Sequence, residues 1–316
     1  MGGKKSWLEK TQVAVRQIEM TEIILPRYPF SSELGWSSSR SDTFHTCKRR
    51  YFYNYYSKFD PEIPREQIEH LKKLSSIPMA VGTGIHDVLA AVLNRLFKSN
   101  QEIDHQRFQT FVEQSLQKIL SKKSLMEVHY GERETPDVTE LMTKVQPCLE
   151  NFLTSKRYDW LQKQLHGQSR HLIEPPGFGE ARLKGMKIYA KVDFLLEVDS
   201  ETVIIDWKTG RKDVEKHSRQ LLGYAAWAAQ NLGISANQIR CVMAYLQPTY
   251  EEVEKLPTSD ELNTFANEVA HEIEQMNALC QDPENNIPLS KEHFPMTEHI
   301  NLCRHCQFRE LCDRNH

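Results

Sequence analysis

The sequence lacks several features that would place it in a specialised class of protein. No apolar run in its 316 residues approaches the roughly 18 to 20 residues of a membrane span, so we expect no membrane partner. The N-terminus has no apolar h-region and no small-residue cleavage site, which predicts a cytoplasmic protein. Internal repeats and low-complexity tracts are also missing. The net charge of −3 gives no global attraction to nucleic acid, so a polyanion site would need a local patch.

The remaining composition is that of an ordinary globular chain, with 39% hydrophobic and 26% charged residues. We predict a lead-in at residues 1–30 and a single domain at 31–316. Within that domain, residues 31–175 are mainly helical, 176–280 form an α/β core, and 281–316 form a loop-rich end with three cysteines.

Hydrophobic periodicity gives the order of elements in the core. Residues 187–198, "KIYAKVDFLLEV", alternate between apolar and polar side chains, and residues 202–209, "TVIIDWKT", follow after a short turn, which together predict a β-hairpin. Residues 218–233 then form a helix that ends at a glycine, and residues 239–248 form a third strand. Another helix is predicted at about 258–280. This order indicates an α/β domain.

The stretch "VIIDWKTGRKD" ends an apolar strand with charged residues. Asp206 and Lys208 are two residues apart on a strand and therefore point to the same face. If the predicted hairpin forms, Asp193 on the preceding strand approaches Asp206. Two carboxylates at such a position repel each other unless a cation lies between them, and hard divalent cations suit oxygen ligands.

The alternative is a surface hairpin with scattered charges, because an Asp-x-Lys pattern alone is common. Three more residues favour a site. Gln220 and Tyr224 are four apart and share a helix face, and Glu180 precedes the first strand.

This order of residues resembles the PD-(D/E)XK nuclease superfamily and, within it, the RecB-like exonucleases, over roughly residues 36–312. The matching positions are Gly82, His86, Glu180, Asp193, Asp206, Lys208, Gln220 and Tyr224. Two features depart from the common pattern. Val192 stands where a proline often precedes the first aspartate, and Ala190 replaces a usual glycine. The resemblance implies a restriction-endonuclease-like core, in which a central mixed sheet is flanked by helices, with a helical N-terminal insertion and a C-terminal cysteine cluster.

The resemblance also assigns roles to the matched residues. His86, Asp193 and Asp206 would bind Mg²⁺ or Mn²⁺, and Glu180 would assist them. Taken alone, a histidine at the edge of the apolar stripe of its helix is more often structural, and only the resemblance makes His86 a metal ligand. Lys208 would position and activate the attacking water. The pair Gln220 and Tyr224 would orient Lys208 and the substrate backbone.

The cysteines near the C-terminus have a spacing typical of a metal site. Cys303, Cys306 and Cys312 supply three thiols, one fewer than a closed site needs. One branch of the RecB-like family, which includes CRISPR-associated adaptation exonucleases and AddB-type subunits, has this spacing and one early cysteine. The resemblance therefore implies a [4Fe–4S] cluster whose fourth ligand is Cys47. The alternatives are Zn²⁺ at the same four thiols, in which His305 could replace one cysteine, and the absence of any metal.

A basic and aromatic run, "CKRRYFYNYYSKF", follows the early cysteine. Lys48, Arg49 and Arg50 are candidate contacts to DNA phosphates, whereas the aromatic rings would pack in the core. We expect a metal-dependent DNA nuclease, most simply an exonuclease, that acts on single strands or ends. Since no helicase motif is present, any motor would be a partner protein. A non-catalytic DNA-binding or assembly subunit and a zinc-stapled structural module are the rival hypotheses.

Overall fold

The computed structural model describes residues 23–99, 101–165, 169–175 and 179–314. Most of the predicted lead-in, up to residue 22, lies outside the described residues. Beyond it, Ile23 is buried in the core, and the hydroxyl of Tyr28 donates a hydrogen bond to Oδ1 of Asn231 at 3.3 Å. The last residues of the lead-in therefore pack against the domain.

The first half of the chain is helical, as predicted. Its helices are α1 (Ser38–Thr46), α2 (Lys48–Tyr56), α3 (Arg65–Lys72), α4 (Ile77–Lys98), α5 (His105–Lys122), α6 (Met126–His129), α7 (Val138–Leu153) and α8 (Lys156–Gln164). Several begin at a side chain that accepts a hydrogen bond from the first turn, among them Ser76 before α4 and Asp104 before α5. The thiol of Cys47 has this position before α2.

The second half contains all the strands in the described part of the chain. Its elements are β1 (His171–Ile173), β2 (Glu180–Leu183), β3 (Met186–Tyr189), β4 (Phe194–Val198), β5 (Glu201–Lys208), α9 (Val214–Leu232), β6 (Ile239–Tyr245), β7 (Glu251–Lys255), α10 (Ser259–Asn277), β8 (Cys280–Asp282), β9 (Ile287–Pro288) and α11 (Ile300–Cys303). The main sheet has the order β1-β4-β5-β6-β7, in which only β5 and β6 are parallel. Strands β2 and β3 form one separate hairpin, and β8 and β9 form another.

The main sheet is buried between two apolar layers. Val203, Ile205 and Trp207 of β5 pack against the layer that contains α4, α5 and α7. Ile204 points the other way, into the layer that contains α2, α9 and α10. This mixed five-stranded sheet flanked by helices confirms the predicted fold class. The hairpin between β4 and β5, helix α9 with Gly233 at its end, and strand β6 are confirmed as well.

The prediction of one continuous strand at residues 187–198 is wrong. The chain changes sheets between Tyr189 and Phe194, because the two parts have different hydrogen-bond partners. Strand β3 pairs with β2 and with Trp36, whereas β4 pairs with β1 and β5. The apolar alternation continues through the junction because Ala190 and Val192 are also buried there, so periodicity alone does not reveal the break.

Helix α4 corrects the expectation that no segment is long and apolar enough to cross a membrane. It has 22 residues and passes that test on length and composition alone. Half of the tested window is buried within the protein. Its apolar face, which includes Ile85, Leu89 and Leu93, packs in the core, and the same helix carries His86. These contacts are typical of the central helix of a globular domain.

Candidate active site

The register of β4 and β5 brings two carboxylates together. Phe194 pairs with Ile205, so Asp193 lies just before β4 and beside Asp206 on the neighbouring strand. The backbone amide of Trp207 donates a hydrogen bond to Oδ2 of Asp193 at 3.0 Å. Asp193 is 8% exposed and Asp206 is 2% exposed. The protein therefore holds two nearly buried acids at one end of this strand pair.

His86 and a glutamate complete one side of this site. Nδ1 of His86 on α4 lies 3.3 Å from Oε1 of Glu174 and 3.3 Å from Oδ1 of Asp193. The ligand atoms of the three residues all lie within 4.8 Å of one another. The amide of Glu174 also donates to the carbonyl of Asp193 at 2.9 Å, which fixes the chain after β1 against the start of β4. One imidazole and two carboxylates are a suitable donor set for Mn²⁺ or Mg²⁺.

The pKa shifts of His86, Glu174 and Asp193 indicate a site that favours a bound cation. Burial, and then the charge of Asp206, raise the pKa of Asp193. Burial alone would lower the pKa of His86, but the charge of Asp193 and hydrogen bonds with Asp193 and Glu174 outweigh it and raise this pKa to about 10. The hydrogen bond with His86 lowers the pKa of Glu174. In the metal-free protein, an imidazolium therefore balances part of the negative charge.

Asp206 has different partners on its two oxygens. Oδ2 lies 2.6 Å from Nζ of Lys208, at an angle that does not form a regular hydrogen bond. Oδ1 accepts a hydrogen bond from the hydroxyl of Tyr224 at 2.5 Å, and Nε2 of Gln220 donates to that hydroxyl at 2.6 Å. Burial and the charge of Asp206 raise the pKa of Tyr224 well above its usual range, so the hydroxyl stays protonated. The two α9 residues thus fix the orientation of Asp206.

Glu180 is not brought to this group. It begins β2, in the separate hairpin, where Oε1 accepts a hydrogen bond from Nη2 of Arg182 at 2.8 Å. Glu180 was predicted to assist the metal ligands, whereas in the structure the glutamate that lies beside His86 is Glu174. The physical reason is that β1, although only three residues long, pairs with β4 and carries the chain to Asp193. The signal for Glu174 was two apolar residues followed by an acid and Pro175, a pattern too short to stand out.

A cavity of about 710 Å³ opens over the group, and we call it the site cavity. Its lining includes His86, Asp193 and the turn residue Thr209. A Cβ atom on Gly82 would lie 3.2 Å from Oγ1 of Thr209, so the glycine lets α4 approach the turn after β5 closely. The backbone oxygen of Lys208 accepts a hydrogen bond from the amide of Leu246 at 2.9 Å, which holds this turn in place.

The four predicted cluster cysteines share one neighbourhood. After burial, the charges of Cys47 and Cys303 contribute to raising the pKa of Cys306. Burial, and then the charge of Cys306, raise the pKa of Cys312 to about 11. Nη1 of Arg314 lies 3.3 Å from Sγ of Cys303. All seven cysteines are free, and the three that were not assigned to the cluster, Cys148, Cys241 and Cys280, are buried.

Packing between α2 and the C-terminal end brings these cysteines together. The amide of Arg49 donates to the carbonyl of Pro295 at 3.1 Å, and the ring of Tyr53 lies 5.3 Å from that of Phe308. Among the described residues, no three of the thiols all lie within 4.8 Å of one another.

The structure separates the three basic residues that were predicted to contact DNA. Nζ of Lys48 donates to the carbonyl of Phe44 at 2.7 Å, and burial lowers the pKa of Lys48 to about 8. Nε of Arg49 donates to the carbonyl of Phe294 at 2.9 Å. Both side chains are therefore engaged in internal contacts, whereas Arg50 lines a second cavity.

Comparison with known proteins identifies the family. The model of the PD-(D/E)XK nuclease superfamily matches residues 35–313, and the chain belongs to this superfamily. Membership implies a metal-dependent nuclease that acts on nucleic acid. No curated protein matches the chain at a significant level. The crystal structure of SSO0001 is similar over 60% of this chain and 79% of its own, with 17% identity and a TM-score of 0.28, which supports no statement about function.

Proposed function

We propose that this protein is a Mg²⁺- or Mn²⁺-dependent deoxyribonuclease of the RecB-like type, and specifically an exonuclease. The observation that carries the proposal is the convergence of His86, Glu174 and Asp193 within 4.8 Å, beside the Asp206–Lys208 contact of 2.6 Å. A metal-binding group next to a lysine ammonium suits the hydrolysis of a phosphodiester, in which negative charge develops on the phosphate.

The donor set fits a divalent cation, and four residues would hold it: His86, Glu174, Asp193 and Asp206. When bound, this ion supplies Lewis-acid stabilisation of the charge that develops on the scissile phosphate. Oδ2 of Asp193 is held by the Trp207 amide, which leaves Oδ1 directed towards His86. The carboxylate is therefore oriented by the backbone before any ion binds.

Lys208 would act on the attacking water and on the phosphate. Its side chain is 23% exposed, and the next residue, Thr209, lines the site cavity. Its contact with Asp206 places the ammonium beside the metal group, where it offsets charge that appears only in the transition state. Tyr224 and Gln220 would keep Asp206 in the rotamer that makes this contact, and their effect on cleavage would be indirect.

We further propose that Cys47, Cys303, Cys306 and Cys312 bind a [4Fe–4S] cluster that fastens the C-terminal segment to α2. Around a single Zn²⁺, tetrahedral thiolates at 2.3 Å would be about 3.8 Å apart. In a cubane, each thiolate binds a different iron, so the thiolates are more widely spaced. The proposal is supported by the shared neighbourhood of the four thiols between α2 and the C-terminal segment, and the choice of a cubane over Zn²⁺ rests on the resemblance to the RecB-like branch.

The substrate would be DNA with a free end or a single-stranded segment, and a helicase or another DNA-processing protein would supply such strands. The test uses purified protein with single- and double-stranded DNA labelled at either end, incubated with Mn²⁺ or with EDTA. We expect metal-dependent release of short products from one labelled end. The absence of any cleavage by protein that contains its full complement of metal would reject the proposed function.

A further inference from the structure

A second cavity of about 710 Å³ adjoins the site cavity, and the nuclease chemistry does not use it. Its lining includes Arg50, Lys72, Arg304 and Arg309, and we call it the basic groove. Pro78 and Met79, in the first turn of α4, line both the basic groove and the site cavity. This turn is therefore a low ridge between the two, and a flexible chain that crosses it would pass from the metal group to the cysteine segment.

Two arginines of the basic groove form no ion pair with a carboxylate in the described part of the chain, although the charge of Arg50 also acts on the thiol of Cys306. The guanidinium of Arg50 has no hydrogen bond or ion pair with any described residue, and its Nε is buried without a partner. Arg304 is exposed, and its side chain likewise has no ionic partner in the described part of the chain. A buried cationic nitrogen favours an acceptor, and a water or an anionic ligand in the groove would supply one.

The acidic residues of the groove are already occupied. The carboxylate of Glu127 accepts hydrogen bonds from the amide of Ile77 at 2.9 and 3.1 Å, at the start of α4. Glu132 pairs with Arg309, whose guanidinium lies 3.8 Å over the ring of Tyr130. Lys72 in turn pairs with Glu69 at 3.0 Å. Arg50 and Arg304 are therefore the arginines of the groove that have no carboxylate partner among the described residues.

The ridge adds an apolar contact. Met79 is 64% exposed and lies between the two cavities, so its side chain is open to a ligand that crosses the ridge. An unstacked base can lie against such a side chain, while a base within a duplex is covered by its neighbours. The combination of an apolar ridge with cations on one side and a metal group on the other matches a single strand better than a duplex.

We propose that the basic groove binds the phosphates of a single-stranded nucleic acid whose other part lies in the site cavity, with a base against Met79. This inference rests on the proposed nuclease function and adds the path of the substrate to it. The strand would run from His86 over the first turn of α4 to Arg50 and Arg304. Lys48 and Arg49 would take no part, because their side chains are held by internal contacts.

The test measures binding without cleavage. Fluorescence anisotropy of a labelled oligothymidylate of about 15 nucleotides, within the range of single-strand site sizes, is recorded in EDTA over a series of salt concentrations. Since a single-strand phosphate contact contributes a slope of about 0.7 in log K against log salt, Arg50→Ala and Arg304→Ala should each reduce the slope by about 0.7 and weaken binding about fivefold at 0.1 M salt. Arg50→Lys should retain most of the affinity.

Two further variants protect the test against indirect effects. Arg107→Ala removes an exposed arginine that lines a different cavity, near the other end of α4, and should leave binding unchanged. Met79→Glu places a carboxylate on the ridge, away from the cysteines, and should also weaken binding. Iron content and the circular dichroism spectrum of each variant establish that the cysteine segment is intact.

Wild-type slopes and affinities in Arg50→Ala, Arg304→Ala and Met79→Glu would overturn the inference, even if the wild-type protein cleaves DNA. Conversely, a protein that binds the oligonucleotide through this groove but never cleaves it would support the inference and reject the nuclease proposal. Loss of affinity in Arg107→Ala that equals the loss in Arg50→Ala would also count against the groove, because the effect would then follow net charge alone.

Discussion

The backbone amide of Trp207 donates a hydrogen bond at 3.0 Å to the carboxylate of Asp193. This bond joins the first acid of the site to strand β5, which carries the second acid, Asp206, and the lysine, Lys208. One oxygen of Asp193 is thereby fixed, and the other is left to face His86 at 3.3 Å. The geometry of the metal group therefore depends on the register of β4 and β5 as much as on the ligands themselves.

Glu174 and Glu180 provide a matched pair of variants. We expect Glu174→Gln to weaken Mn²⁺ binding by about tenfold or more, since even the outer partners of metal ligands contribute that much. Glu180→Gln should bind Mn²⁺ and cleave DNA as the wild type does, because Glu180 is paired with Arg182 in another hairpin. Calorimetric titration with Mn²⁺ measures both. The reverse result would restore Glu180 as a ligand and remove Glu174 from the site.

Replacement of either aspartate should act through metal binding. Asp193→Asn and Asp206→Asn keep the shape of the side chain but remove its charge, so we expect Mn²⁺ affinity to fall by more than about tenfold in each and cleavage to fall with it. Asp199→Asn, in the exposed turn between β4 and β5, is the control and should change neither quantity. Unchanged Mn²⁺ affinity in Asp193→Asn or Asp206→Asn would show that its carboxylate does not reach the ion.

Metal binding should depend on pH through His86. Because its pKa is raised to about 10 in the metal-free protein, the imidazole carries a proton at neutral pH that a metal ion must displace. We expect the affinity for Mn²⁺ to rise with pH, by up to about tenfold per pH unit below this pKa. In His86→Ala the affinity should be lower and this dependence weaker. A wild-type affinity that is constant between about pH 6.5 and 8.5 would contradict a protonated His86.

The raised pKa of His86 also predicts that the stability of the metal-free protein depends on pH. The folded-state pKa of His86 lies above its ordinary value of 6.5, so its contribution to stability is fully present below about pH 6.5 and is lost as the pH rises through about 10. Thermal denaturation in EDTA at several pH values, compared with His86→Ala, measures this contribution. An equal pH dependence of thermal stability in the wild type and in His86→Ala would contradict this contribution of His86.

The cysteines divide into two groups with different expected behaviour. Serine at Cys47, Cys303, Cys306 or Cys312 should abolish the brown chromophore and lower solubility, because a cubane needs four converging thiolates and serine is a hard, protonated ligand. Serine at Cys148, Cys241 or Cys280 should retain the colour, since these thiols are buried elsewhere in the core. Iron and sulfide analysis gives the measurement. Full iron and sulfide content in Cys47→Ser would show that another residue is the fourth ligand.

Much of the core could be predicted from the sequence because its apolar residues recur with a clear strand or helix period. The β4–β5 hairpin, helix α9 and strand β6 have strong alternating or helical patterns, and they position Asp206, Lys208, Gln220 and Tyr224. Strands β1 and β7 were not predicted from the sequence, each for a different reason. His171–Ile173 is too short to show a period, and Glu251–Lys255 is an edge strand with four charged residues and no buried one.

The contacts that complete the site arise from tertiary structure. Glu174 reaches His86 only because β1 pairs with β4, and this pairing joins distant parts of the chain without a local signal. The separate roles of Lys48, Arg49 and Arg50 have the same origin, because carbonyls of Phe44 and Phe294 engage the first two side chains. A run of basic residues in a sequence shows that the segment is positively charged. Only the packing shows which of these side chains is free to contact a ligand.

The most direct test of the account is single-turnover cleavage of end-labelled DNA by the wild type and by Lys208→Ala, with Mn²⁺ and protein in excess. We expect the wild type to cleave and the variant to be slower by about 10²–10³-fold, while the fold is retained and DNA affinity in EDTA changes little. The ammonium acts in the transition state, and its side chain is not part of the apolar core. Cleavage by Lys208→Ala at the wild-type rate would contradict the proposed site.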